Sequence, residues 1–181
     1  MARDRAVRKK AFVEKTAAEV ADLVGCGVLF SGNAFSAVTL VKGTPEPDGA
    51  EPFSSADGTA LRNSLTALGY APEDWNALLS CDAEGVPLDP AVFVRAIAVL
   101  DPATLVICDE PAADLVREAF AADLAQLPDF DAAMLVPGTL AQVRGIRMLN
   151  LGGFADALGD NHSKQIMWHR LKKLPPLGEP Y

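Results

Sequence analysis

The chain is poor in the residues that anchor metals and disulfides. Its three cysteines, Cys26, Cys81 and Cys108, are far apart and form no Cys-x-x-Cys pair, so neither a disulfide framework nor a zinc or iron–sulfur site is signalled. They read instead as small core residues at strand ends. Catalytic signatures are also missing. There is no Walker-type phosphate loop, no Gly-x-Gly-x-x-Gly after a strand, no Gly-x-Ser-x-Gly elbow and no His-Glu-x-x-His. Half of the residues are hydrophobic, yet no run approaches the ~18 apolar residues of a membrane span. The charged N-terminus is not followed by an apolar signal core. The expectation is a cytoplasmic protein without cofactor, metal cluster or membrane attachment.

Positive charge is scarce where it would matter most for a duplex-binding surface. The net charge is −8, with residues 1–15 carrying six basic and two acidic side chains, residues 141–181 six and three, and residues 16–140 four and nineteen. A nucleic-acid footprint is normally basic, because phosphate neutralisation dominates affinity; here only the two ends supply one. At 181 residues the chain suits one domain, long enough to bury ~70% of its unfolded surface around a single core.

Along the chain, Val13, Ala17, Val20 and Val24 recur at helical spacing, which predicts an amphipathic helix over residues 1–24 with a basic start, closed by Gly25. Lys9 and Lys10 read as part of its solvated face. The short apolar runs Gly27–Gly32 and Val38–Val41 suit either a hairpin or a loop leading into a first central strand. A turn-rich segment follows, and then a helix capped by Ser55, with Ala60, Leu61, Leu65 and Leu68 on one face and Gly69 at its end. Further strands are expected at Trp75–Cys81, Thr104–Cys108, Ala132–Val136 and Ile146–Leu151. The last is a better strand than Ala132–Val136, from which a turn at Pro137-Gly138 separates it. Helices are expected after Asp89-Pro90, over Pro111–Leu124, and over Ser163–Leu174 with Met167, Leu171 and Leu174 inward. Residues 175–181 form a proline-rich tail. Alternating strands and helices imply an α/β fold, a three-layer α/β/α domain around a mostly parallel sheet of about four strands.

In such folds ligands sit outside the carboxyl ends of the strands, which directs attention to the loop after Val38–Val41. Its acids Glu46, Asp48 and Glu51 either position a water or cap local turn amides. Lys42, at the strand end, pairs with an anion, or forms a salt bridge with one of those acids. Gly152-Gly153 lets a backbone approach a ligand or makes a tight turn. His162 reads as a capping or surface residue and His169 as exposed.

The order of parts resembles the uracil-DNA glycosylase superfamily, particularly its bacterial family-four-like branch, from about Val38 to Leu174. Pro45, Pro52, Phe53, Gly58, Leu61, Leu65 and Gly69 fall where that branch's first strand, phenylalanine loop and leucine-rich helix place them, and Lys164 and Trp168 match its late lysine and tryptophan. The resemblance implies a base-excision hydrolase of DNA repair with substituted catalytic motifs. The family's Gly-Glu-Ala-Pro-Gly is here Lys42-Gly43-Thr44-Pro45-Glu46, with glycine in the acid's place. Its base-reading asparagine falls at Leu79 or Ser80, and its His-Pro-Ser at Gly152-Gly153-Phe154. Its cluster-binding cysteines are missing, and Phe53, which would stack on a flipped base, is retained. Independently of the family's motifs, a desolvated Lys42 is nucleophilic enough to bond covalently to an abasic sugar, although a salt bridge with one of the loop acids is the better reading.

The expected function is that of a diverged glycosylase-like protein binding a nucleobase, nucleotide or DNA, with weak or no excision. The expected pocket comprises Lys42, Gly43, Thr44, Pro45, Glu46, Phe53, Ser80, Gly152, Gly153 and Phe154. The alternatives are a non-catalytic protein-interaction module and an enzyme of a small nucleoside-like substrate. A binding role expects Phe53 exposed in an open cleft, an interaction role expects it buried.

Overall fold

A computed structural model describes residues 2–177, apart from some side chains among residues 2–16. It contains a six-stranded mixed sheet flanked by helices. The sheet is built from β1 (Phe30–Gly32), β2 (Val38–Lys42), β3 (Asn76–Leu79), β4 (Thr104–Ile107), β5 (Leu140–Val143) and β6 (Ile146–Asn150), in the spatial order β1-β3-β2-β4-β6-β5. The four inner strands run parallel, and β1 and β5 close the two edges antiparallel. The sheet thus has six strands rather than the expected four or so, because an antiparallel strand is added at each edge of the parallel core.

The inner strands β2, β3 and β4 are buried at every position and mostly apolar, with Thr39, Lys42, Asn76 and Thr104 as their polar members, as strands covered on both faces are. Successive residues alternate between two cores. Val41, Leu78, Leu105, Ile107 and Met148 meet helices α1 (Ala2–Gly25), α3 (Pro90–Leu100) and α4 (Glu110–Ala119). Leu40, Ala77, Val106 and Leu149 meet α2 (Ala56–Ala67) and the C-terminal helices α7 (Phe154–Ala157) and α8 (Asn161–Leu171). Full burial of one leucine contributes about 1.5–3 kcal/mol, so these two clusters dominate the favourable side of folding.

Several helix boundaries follow their capping residues. Asp89 accepts from the Ala91 amide at 2.8 Å and Asp160 from the Ser163 amide at 2.8 Å, satisfying amides that no helical carbonyl can reach. Met167, Leu171 and Leu174 are buried as expected. Ser55 precedes α2 but makes no side-chain cap there, because its hydroxyl is committed elsewhere.

Five expectations need correction. Cys81 and Cys108 are buried at strand ends, but Cys26 is exposed and follows α1. The α1 stripe does not face the core: Ala17 and Val24 are exposed, Leu23 is the residue inserted, and Val13 and Lys9 lie outside the described side chains. Among the described residues the helix packs against α3 in its later part, where Val20 is half-buried and Arg95 pairs with Asp22. The helix expected to run unbroken to Leu124 is interrupted at Phe120 and resumes as the short α5 (Ala121–Leu124). Ala132–Val136 is not a strand. Asp129 caps the single turn α6 (Phe130–Ala133), and Leu135 then adopts a positive φ of 49° that no strand permits. The strand beside β6 is β5, joined to it by Arg144-Gly145 with φ of 49° and 82°, both positive as a type I′ hairpin requires. Finally, residues 27–32, which suit a hairpin arm or a loop leading into the first central strand, place Phe30–Gly32 as an edge strand on β3 and make no hairpin with β2. Of the tail, residues 178–181 lie outside the described residues.

Candidate active-site cleft

The chain leaves β2 for β3 on one side and then crosses to β4 on the other, so the order of strands reverses between β2 and β4. Ligand crevices form outside the carboxyl ends of the strands at such a switch point. A cavity of about 160 Å³ lies there, walled by Lys42 and Thr44 after β2, Cys108 and Asp109 after β4, Asp57 at the start of α2, and Gly153 to Asp156 after β6.

Lys42 is the last residue of β2 and points to the α2 side of the sheet. Its ammonium donates to Asp57 at 2.8 Å and to Glu46, and sits 4.8 Å from the centre of the Phe53 ring. Burial pushes Lys42 toward the neutral amine, but the hydrogen bonds and charges of Asp57 and Glu46 overcome that and hold its pKa above the ordinary lysine value. The covalent role at an abasic sugar needs a neutral amine; at neutral pH Lys42 is instead a buried cation in a salt bridge with two carboxylates.

Glu46 organises the loop from beneath. Besides Lys42 it accepts from the Phe53 amide at 2.8 Å and from the Ser55 hydroxyl at 2.5 Å. Phe53 has no exposed surface and takes a positive φ of 60°, a conformation costly for a bulky residue unless its surroundings impose it. Here both backbone groups are held, since Arg62 donates to the Phe53 carbonyl at 2.8 Å. Gly58 makes room, for a Cβ there would lie 1.8 Å from that carbonyl oxygen. The exposure expected of a base-stacking Phe53 is therefore not found: the ring is buried, as an interaction role expects, and does not wall the cleft.

Asp109 builds the opposite wall. It caps α4 by accepting from Ala112 at 3.0 Å, and it also accepts from the Gly43 amide at 2.8 Å, the Thr44 amide at 3.1 Å and the Thr44 hydroxyl at 3.0 Å. Gly43 is pressed against α4 so closely that a Cβ would approach Pro111 to 2.5 Å. Burial, reinforced by the charges of Asp109 and Asp57, pushes the Cys108 thiol well above its ordinary pKa; it is no thiolate nucleophile.

Of the ten expected pocket residues, Lys42, Thr44, Gly153 and Phe154 line the cleft. Glu46, Phe53 and Ser80 are buried beside or beneath it and Gly43 is half-buried under α4, while Pro45 is exposed to solvent. Gly152 faces Pro137 and Arg170 instead. Sequence reading missed Asp57, Asp109 and Asp156. The first two stand at helix starts, where aspartate usually signals only a cap, and Asp109 is a cap as well as a wall. Asp156 is exposed and its carboxylate accepts no hydrogen bond among the described residues. Among those residues no group of three or more His, Cys, Asp or Glu is placed to hold a metal ion, and no helix is long and apolar enough to cross a membrane.

No protein-family model matches the chain, and no curated protein matches it.

Proposed function

We propose that this is a three-layer α/β/α protein of the uracil-DNA glycosylase-like kind, diverged so that its cleft binds a nucleobase or nucleoside without efficient excision. The observation that carries the reading is the cleft at the switch point, where one ammonium faces three carboxylates. Its roughly 160 Å³ is the space of about five waters and falls below the ~300 Å³ of pockets that take drug-sized ligands. The space matches a single base-sized ring, and the sugar of a nucleoside or the phosphate of a nucleotide would lie outside it, at the mouth.

Charge selects further. Lys42 is already neutralised by Glu46 and Asp57, leaving Asp109 and Asp156 to set the sign of the field at the mouth. A phosphate entering would meet like charge, whereas the N–H edge of a neutral base finds carboxylate acceptors. Excision is disfavoured because the position after β2 where the family keeps its acid is Gly43, which α4 leaves no room to replace. Loss of one preorganised electrostatic group typically lowers a rate by ~10²–10³.

The burial of Phe53 favours a second reading, a non-catalytic interaction module in which the cleft is vestigial. Calorimetric titration separates the two, using uracil, hypoxanthine and xanthine as free bases, nucleosides and 5′-monophosphates, beside single-turnover excision on oligonucleotides bearing the same bases. The base-binding reading expects heat from a base or nucleoside, at least tenfold weaker binding of the monophosphate, loss of binding in Asp57→Asn, and no base release. Absence of binding by every base and nucleoside would leave the interaction module.

A further inference from the structure

The two edges of the sheet are protected differently. At one edge β1 is three residues long, ends at Gly32 with a positive φ of 80°, and is fastened by the Ser31 hydroxyl, which donates to the Pro52 carbonyl at 2.7 Å. Such shortening is a common way to blunt an open edge. At the other edge β5 carries no charge, proline or bulge, and residues 132–143 contain no charged side chain at all. Apolar side chains collect beside it. Among the described residues eleven large hydrophobic side chains are exposed, and four of them, Phe130, Met134, Val136 and Leu140, fall in one stretch that runs into β5.

The backbone of β5 is self-complementary. The two-residue turn at Arg144-Gly145 makes Val143 and Ile146 a hydrogen-bonded pair; pairs alternate from there, so Leu140 and Gln142 direct their N–H and C=O groups away from β6. The Arg147 amide, opposite Gln142, accordingly donates to Ala103 on the β4 side. Apolar groups flank this open edge on both faces. Leu140 projects from one, whereas α6, which bears Phe130 and contacts β5, lies on the other, where Ala141 and Val143 are buried.

We propose that β5 is the docking edge for a second copy of this chain, paired antiparallel with its own β5 about a two-fold axis through Ala141, so that two six-stranded sheets become one continuous sheet. In that register Leu140 of each copy exchanges two backbone hydrogen bonds with Gln142 of the other. A two-fold contact sets a surface against itself, and for a chain of net charge −8 that is least costly where charge is absent. The charges that flank the strand are of opposite sign. Arg144, half-exposed although paired with Asp123, comes opposite Gly138 of the second copy, two residues from Val136, whose amide is bonded to Asp131 at the acidic start of α6. A foreign extended peptide would use the same backbone groups but would leave this reciprocal approach unused. The proposal is independent of what the cleft holds, because β5 does not line it.

Sedimentation velocity of the full chain from about 1 to 300 µM, the range in which small, transient interfaces dissociate, tests this. A reversible dimer is expected within that range. Gln142→Pro removes an amide that the protomer itself does not use, and Leu140→Lys sets like charges beside the pairing; each should raise the dissociation midpoint roughly tenfold or more. Val86→Lys, exposed in the loop after β3, is the control and should leave the midpoint unchanged. Hydrogen exchange reads the same contact without mutation: in the unaltered chain the Leu140 and Gln142 amides should be protected at high concentration and exchange freely at low concentration. A monomer throughout the range, a dimer that survives both β5 variants, or exchange at Leu140 and Gln142 that ignores concentration would overturn the proposal.

Discussion

The Lys42 ammonium and the Asp57 carboxylate meet at 2.8 Å in the interior, with less than a tenth of either side chain exposed. A buried pair of this kind contributes little compared with well-packed apolar residues, but breaking it strands a charge. Lys42→Met would leave Asp57 and Glu46 facing each other without compensation. The expected loss is about 3–5 kcal/mol, read from urea unfolding. Adding Asp57→Asn and Glu46→Gln to Lys42→Met should recover part of it; a single variant as stable as the original would show that the cluster is solvated.

Stability should decline in alkali. Lys42, Tyr70, Cys81 and Cys108 all have folded-state pKa values above their ordinary ones, Tyr70 and the thiols through burial and Lys42 through its acids outweighing burial. In each case the folded protein holds the proton more tightly than the unfolded chain, so stability is complete below the unfolded pKa and is lost as pH rises toward the folded one. The decline should begin near the ordinary thiol value of 9.0 and steepen through those of tyrosine and lysine, 10.0 and 10.5. Urea midpoints between pH 8 and 11 measure it, and Cys108→Ala should flatten the first part of the curve.

Gly43 cannot accept the side chain that the family resemblance would put there. Gly43→Ala drives a Cβ toward Pro111 and should cost about 1–3 kcal/mol, the usual penalty of overpacking. Gly43→Glu should cost more and release no base from uracil-containing DNA. Thermal midpoints and a single-turnover assay check both; a stable, active Gly43→Glu would mean that α4 gives way.

Asp109→Ala removes a helix cap and three hydrogen bonds to the loop after β2 at once. Caps are worth about 0.5–2 kcal/mol and bonds to a charged group about 1.5–3 kcal/mol, so the loss should exceed that of Asp89→Ala, whose carboxylate is exposed and caps one amide. Asp109→Asn should fall between the two. Equal losses for Asp109→Ala and Asp89→Ala would show that the loop does not depend on Asp109.

The parallel core was legible in the sequence because Val38–Val41 and Thr104–Cys108 are apolar on both faces and because Asp89 and Asp160 announce their helices. β5 was not, since Leu140 and Gln142 face outward while Ala141 and Val143 face in, and an alternation resting on one alanine and one valine is faint. The α1 stripe misled because hydrophobic spacing gives a face but not a neighbour to cover it. At the site, Lys42, Thr44, Gly153 and Phe154 could be found by position after strands. Asp57 and Asp109 could not, because their meeting across the cleft depends on the order of strands rather than on spacing along the chain.

The triple duty of Asp109 also limits how this cleft can change over time. One carboxylate starts α4, fastens the loop after β2 and forms a wall, so a mutation that alters recognition there unwinds a helix turn as well. Thr44 and Asp156 are exposed, and the lining of the cleft changes most easily through them. The cleft is free to vary at its rim and fixed at its inner wall.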